Sequence, residues 1–290
     1  MTDLSGKNAL ITGASQGFGV SIARAFLAAG ANVALCARSA DQLEQTRQLL
    51  QSEFPQRIVF TAVCDVANAD EVDALVKAAR ETLGEIAILV NNAGIYGPMG
   101  RIEEIDWAEW TRALEINLYG TILPCRALLP YMKRQEYGKI ICISGGGATN
   151  PMPYISAYAA SKAGMIRFME SLAEEVRGTG IDVNSIAPGA LATRLLDQAV
   201  DAGGSVIGES FHRRMVQIKS EGGTDPALGA NLCVFLASPE SDGLTGKLIS
   251  AVWDPWEEFP QHEDDLRGDV YTLRRIVPKD RGMTWGDKPK

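Results

Sequence analysis

Short apolar runs recur along the chain at residues 7–12, 32–37, 57–64, 86–91, 139–144, 181–186 and 247–252. Runs such as Asn8-Ala9-Leu10-Ile11 and Ile86-Ala87-Ile88-Leu89-Val90 are nearly continuous rather than alternating, which marks strands buried on both faces. Stretches with helical periodicity, such as 20–29, lie between most of them. Strand and helix in alternation predict a doubly wound α/β fold. Its sheet has seven strands, mostly parallel, with helices on both faces and right-handed crossovers that place a ligand site at the carboxyl ends of the strands. Residues 1–252 form this domain.

The pattern changes after residue 252. Trp253, Trp256, Phe259, Tyr271, Leu273, Ile276, Val277 and Trp285 are interspersed with Arg267, Arg274, Arg275, Arg281 and four prolines. This stretch is too apolar for a disordered tail and too interrupted by proline for a long helix. It predicts an irregular arm over 253–290 that covers the chain's own substrate pocket or a neighbouring subunit.

Composition narrows the class. With 290 residues, 46% of them hydrophobic, the chain buries a large core as one domain. A net charge of −8 argues against nucleic acid or an anionic membrane as main partner. No apolar stretch approaches 18 residues, and the opening Met1-Thr2-Asp3-Leu4-Ser5 is unlike a signal peptide; a soluble, cytoplasmic protein is expected. The five cysteines are widely spaced and sit mostly in apolar runs, as reduced core residues do. No metal site is expected.

Candidate chemistry begins with Tyr158 and Lys162, which a helix stacks on one face. A lysine held there favours the phenolate and brings tyrosine's proton exchange closer to neutral pH. Residues Thr12-Gly13-Ala14-Ser15-Gln16-Gly17-Phe18-Gly19 join an apolar run to a helical stretch. A strand entering a tight glycine turn and then a helix makes an anion site, because the helix's first N–H groups lack internal partners. Gly13, Gly17 and Gly19 let a pyrophosphate lie against bare backbone, though their spacing is one residue off the common dinucleotide fingerprint. Asn91-Asn92-Ala93-Gly94 closes the fourth apolar run, and Pro188-Gly189-Ala190-Leu191-Ala192-Thr193 follows the sixth.

In this order and at these separations, the four motifs closely resemble the short-chain dehydrogenase/reductase family in its compact single-domain branch. The resemblance covers roughly residues 5–252. It implies a Rossmann fold with a nicotinamide cofactor held by Gly13, Ser15, Gln16, Gly17, Phe18, Gly19, Asn92, Ala93, Gly94, Pro188, Gly189, Leu191 and Thr193, with Asp65 and Val66 meeting the adenine ring. Tyr158 is then the general acid in carbonyl reduction and the general base in alcohol oxidation, and Lys162 bonds the nicotinamide ribose. Lys162 and the oxidised cofactor lower the tyrosine's pKa, burial raises it, and charge is expected to win if the pair faces the cofactor. Asn117 matches the asparagine that ties a water to the lysine; equally, it reads as a polar residue bending its helix.

Two positions leave alternatives. In this family an acid at the position of Ala37 usually marks NAD, and Arg at the next position marks NADP. Ala37-Arg38 therefore favours NADP, with NAD possible. Alternatively Arg38 is a solvated residue opening the next helix, and Gln16, where many NADP users have a second basic residue, keeps that reading open. The family's substrate-orienting serine most often stands at the position of Gly145. Either one extra residue in Ser144-Gly145-Gly146-Gly147-Ala148 lets Ser144 orient the substrate oxygen, or the serine is missing and a backbone N–H or another hydroxyl does so.

Residues 194–223 read as a mobile amphipathic lid with hinges at Gly203-Gly204 and Gly222-Gly223. Its His212, Arg213 and Arg214 either attract an acidic substrate or form a solvated face. Trp107 and Trp110 read as packing or oligomer residues, and the resemblance implies a homodimer or homotetramer. The expected activity is NAD(P)-dependent interconversion of an alcohol and a carbonyl on a small or medium polar substrate such as a sugar, polyol or secondary metabolite. The alternatives are a 3-oxoacyl-carrier reductase and, from a different class, a cofactor-binding sensor or assembly module with little catalysis.

Overall fold

All seven apolar runs become strands of one sheet. The computed structural model describes residues 2–285, with β1 (Asn8–Thr12), β2 (Asn32–Ala37), β3 (Val59–Val63), β4 (Ile88–Asn91), β5 (Gly138–Ile143), β6 (Ile181–Ala187) and β7 (Leu248–Ser250). Their order is β3-β2-β1-β4-β5-β6-β7. Every pairing is parallel, so the sheet expected to be mostly parallel is wholly so. Strand order reverses between β1 and β4, which opens a crevice at their carboxyl ends.

The α-helices among the described residues are α1 (Phe18–Ala28), α2 (Ala40–Glu53), α3 (Ala69–Leu83), α4 (Trp107–Leu114), α5 (Gly120–Gln135), α6 (Ser156–Glu175), α7 (Arg194–Ala202), α8 (Gly204–Ile207), α9 (Glu209–Glu221), α10 (Pro226–Ala237) and α11 (Glu263–Leu266). Successive strand residues point to opposite faces. Ala9, Ile11, Ile88, Val90, Ile141 and Ile143 join α1 and α10 in one apolar layer, while Leu10, Leu89, Ile140 and Cys142 join α3, α5 and α6 in the other. Two covered faces explain why the runs show no alternation. All five cysteines are free and buried. Among the described residues, no helix is long and apolar enough to cross a membrane.

The described part of the arm packs on its own chain. Phe259 and Leu266 are buried in the layer of α1 and α10, and Trp256 lies 5.6 Å from Phe235, ring centre to ring centre. The Leu248 N–H donates to the Tyr271 carbonyl at 2.7 Å, which covers the free edge of β7. Arg167 and Glu170 of α6 bond the backbone of Leu273 on either side. Residues 286–290 of the expected arm lie outside the described residues.

Candidate active site

The crevice is lined by the glycine turn and by the ends of β2, β3 and β4. Gly13 has a φ of +64°, and a Cβ there would sit 2.7 Å from the Ala93 Cα; at Gly19 it would meet the Gly13 carbonyl oxygen at 2.6 Å. Only glycine allows both that backbone conformation and such close packing of turn, helix and β4. Thr12 and Asn92 lock the turn to β4. The Thr12 hydroxyl oxygen accepts from the N–H groups of Asn92 and Ala93, at 3.0 and 3.1 Å. The Asn92 amide in return donates to the carbonyls of Thr12 and Gly13, both at 2.9 Å.

Of the expected cofactor contacts, Gly13, Ser15, Gln16, Gly17, Phe18, Arg38, Asp65, Val66, Asn92, Ala93, Gly94 and Thr193 line this crevice. Gly19 is buried beneath the turn. Pro188, Gly189, Leu191, Tyr158 and Lys162 are not among the lining residues; Lys162 stands just behind Gly94, which is one of them. Gly189, at φ +93°, is wedged against Thr224 and Val252, and Leu191 pairs with Gly223 in an isolated bridge. Sequence reasoning missed Ser39, Gln42, Cys64, Ile95, Ile116, Arg194 and Leu195, which also line it. Ser39 and Gln42 follow Arg38 into the first turn of α2 and were legible from that position; the others are brought in by tertiary packing.

The residues present fit a dinucleotide. Bare backbone stands ready for phosphates, no carboxylate occupies position 37, and exposed Arg38 lies at the end of β2 beside the Asp65-Val66 wall. Asp65 itself is ion-paired with Arg112 of α4.

Tyr158 and Lys162 share a face of α6, both buried. The Lys162 ammonium lies 5.7 Å from the tyrosine ring centre and donates to the Ile143 carbonyl at 2.7 Å. A Cβ on Gly94 would stand 3.7 Å from it and 3.3 Å from the Asn117 amide oxygen, so Gly94, Lys162 and Asn117 converge at the head of β4. Among the chain's own groups, burial is the largest influence on both side chains. It raises the Tyr158 pKa, with a smaller upward push from Tyr96, and it lowers that of Lys162.

Asn117 sits in a short π-helical segment, Glu115–Tyr119, of the kind often found at functional sites. Its amide oxygen accepts from the Ile95 N–H at 2.8 Å, and its amide nitrogen donates to the Ile95 carbonyl at 2.8 Å and the Ser161 hydroxyl at 2.9 Å. That side chain holds the loop after β4 against α6, and its place in the π-helical segment accords with the reading of a polar residue that bends its helix. Ser144 and Gly145 follow β5. The Ser144 hydroxyl is buried without a hydrogen-bond partner, and the residue facing the phenol is Gly145, where a Cβ would lie 2.0 Å from the Tyr158 oxygen.

Residues 194–223 fold as α7, α8 and α9. Leu196, Ala199, Ile207 and Met215 make their core, against which Tyr96 and Met99 pack. The basic trio is not in the crevice. His212 bonds the Val200 carbonyl at 3.0 Å, and Arg213 and Arg214 face solvent. The solvated-face reading holds, because α9 uses its apolar side to pack against α7. The described arm lines neither the crevice nor the open cleft between α4 and α7; of the two expected positions, over the chain's own pocket or against a neighbouring subunit, the first does not match its packing.

A sequence model described as short chain dehydrogenase matches residues 7–203. The 7alpha-hydroxysteroid dehydrogenase of Escherichia coli (strain K12) is 33% identical over 250 residues, spanning 85% of this chain and 93% of that one. Among solved structures, levodione reductase superposes with a TM-score of 0.78 at 28% identity, over 85% of this chain and 96% of its own. The NADPH-bound short-chain oxidoreductase of Pseudomonas aeruginosa PAO1, described as containing an atypical catalytic center, does so at 0.76 with 32% identity, over 88% and 99%. With the parallel sheet, the glycine turn and the Tyr158–Lys162 pair, these matches establish that the chain belongs to the short-chain dehydrogenase/reductase family, oxidoreductases that act on CH–OH groups with a nicotinamide cofactor.

Proposed function

We propose that the protein is an NADP-preferring oxidoreductase that interconverts a carbonyl and an alcohol on a small or medium polar molecule, working as a reductase near neutral pH. The observation that carries this reading is Tyr158 and Lys162 buried on one face of α6, at the head of a crevice whose far end holds Arg38 and no acid at Ala37. When bound, the reduced nicotinamide supplies the hydride. Tyr158 gives its hydroxyl proton to the substrate oxygen. Tyr158 holds its proton at neutral pH, its pKa being raised by burial, and so enters the reaction as the acid form. Lys162 stands close enough to stabilise the phenolate left behind, and Asn117 fixes the loop that bounds the substrate. Arg38 at the mouth of β2 favours NADP by a charge-assisted hydrogen bond to the additional phosphate, worth on the order of 10- to 100-fold in affinity.

Titration with NADPH and NADH at one ionic strength, on the wild type and on Arg38→Ala, tests the cofactor. Preference for NADPH by about tenfold or more, lost in the variant, supports the reading; equal affinities make Arg38 structural. The glycine at 145, in place of a hydroxyl residue, favours a second reading, a cofactor-binding sensor with little catalysis. Tyr158→Phe separates the two. It abolishes turnover with cofactor binding retained in an enzyme, and leaves a sensor's function intact.

A further inference from the structure

A carbonyl oxygen on its way to an alkoxide gathers charge that water can no longer solvate, and more than one preorganised donor is the usual remedy. Tyr158 is one donor. Gly145 offers no second hydroxyl and has no space for one, since even a Cβ would sit 2.0 Å from the Tyr158 oxygen. Ser144 precedes Gly145 on an extended backbone, so its buried hydroxyl is turned to the side opposite the Gly145 position that faces Tyr158.

Tyr96 is the hydroxyl residue whose ring lies against the catalytic phenol. The two ring centres are 4.8 Å apart, with planes at 78°. The preceding residue, Ile95, is clamped through both its N–H and its carbonyl by Asn117, each at 2.8 Å. The same asparagine reaches Ser161, whose hydroxyl donates to the Tyr158 carbonyl at 2.8 Å. One network therefore sets the positions of Tyr96 and Tyr158 relative to each other. On its other side Tyr96 packs against the core of Leu196, Ala199, Ile207 and Met215, which shields it from water. Burial also raises its pKa, so it remains a neutral donor throughout the physiological range.

Resting on the functional reading above, we infer that Tyr96 supplies the second hydroxyl, donating to the substrate oxygen beside Tyr158 in the role a serine would fill. The hydride carries its electron pair to the carbonyl carbon, the C=O π pair moves to oxygen, and the proton that completes the alcohol leaves Tyr158. Tyr96 keeps its own proton and contributes a hydrogen bond that strengthens as the oxygen becomes negative.

Tyr96→Phe keeps the ring and its packing and removes only the hydroxyl. With NADPH and whichever carbonyl compound the wild type reduces best among small polar ketones and levodione, kcat/KM falls about 10- to 100-fold, while the NADPH dissociation constant and Tm stay at wild-type values. The dissociation constant of that compound from the oxidised-cofactor complex, in which no hydride can be delivered, weakens several-fold. Ser144→Ala changes none of these. A Tyr96→Phe enzyme within twofold of wild type, or a Ser144→Ala enzyme that loses as much, overturns the inference. Tyr158→Phe measured alongside separates the two failures. Turnover that survives it refutes the functional reading and this inference together, whereas turnover lost with Tyr158→Phe but kept by Tyr96→Phe refutes only the role of Tyr96.

Discussion

Gly145→Ser would install the serine that the family resemblance places at this position, and it is expected to harm the enzyme. The backbone at Gly145 is extended, φ −167° and ψ 171°, which any residue adopts, so the cost lies wholly in the contact. An added Cβ stands 2.0 Å from the Tyr158 oxygen, 3.0 Å from its Cζ and 3.3 Å from a ring edge carbon, and ordinary contact begins at 3.4 Å. The phenol oxygen must therefore move by about 1.4 Å. It cannot do so freely, because the ring is buried and packed against Tyr96. Misplacing a reacting group by about 1 Å costs on the order of 100-fold in rate, equivalent to about 2.7 kcal/mol of barrier. Overpacking costs about 1–3 kcal/mol of stability, a Tm lower by several degrees. The assay is steady-state kcat/KM for a carbonyl substrate with NADPH, alongside the NADPH dissociation constant and Tm. A loss of about 100-fold in kcat/KM with cofactor affinity unchanged is the expected result. Activity equal to or above wild type would refute the reasoning, since the tyrosine would then have room for a serine after all.

Three further outcomes are expected. Phe259→Ala, which empties a buried position packed on Tyr271 at 5.3 Å, costs about 3–5 kcal/mol by urea unfolding and leaves KM unchanged; a KM shift without loss of stability would return the arm to the substrate pocket. Because burial holds the Tyr158 pKa above its ordinary value of 10.0, reduction keeps its proton donor and stays level from neutral into mildly alkaline solution. Oxidation needs the phenolate and climbs with pH over the same range, so a plateau in oxidation near neutrality would contradict the burial-dominated site. The half-buried apolar groove between α5 and α6, lined by Ile122, Leu129, Phe168 and Leu172, is expected to pair with a second copy, so Phe168→Glu should lower the mass seen in sedimentation; unchanged mass would locate the subunit contact elsewhere.

The sequence by itself determined the sheet and its ligand edge. Apolar runs such as 86–90 carry no alternation because both faces of β4 are covered, and that is a local signal. The glycines at 13, 17 and 19 were equally legible, because a backbone turn against another chain segment tolerates no side chain. Tyr158 and Lys162 share a helix face by spacing alone. Even the arm announced itself as packed, through Trp256, Phe259 and Tyr271 amid proline and charge. Tertiary structure alone decided where the arm packs, along the edge of β7, because an irregular segment has no period to reveal its partner. It decided how deeply Tyr158 is buried, which raises its pKa, since desolvation depends on every neighbour at once. It also decided which residue of Ser144-Gly145 faces the phenol. One step along an extended backbone turns a side chain to the opposite side, so the hydroxyl at 144 is buried and the position beside Tyr158 is left to a glycine, with Tyr96 brought to it from the end of another strand.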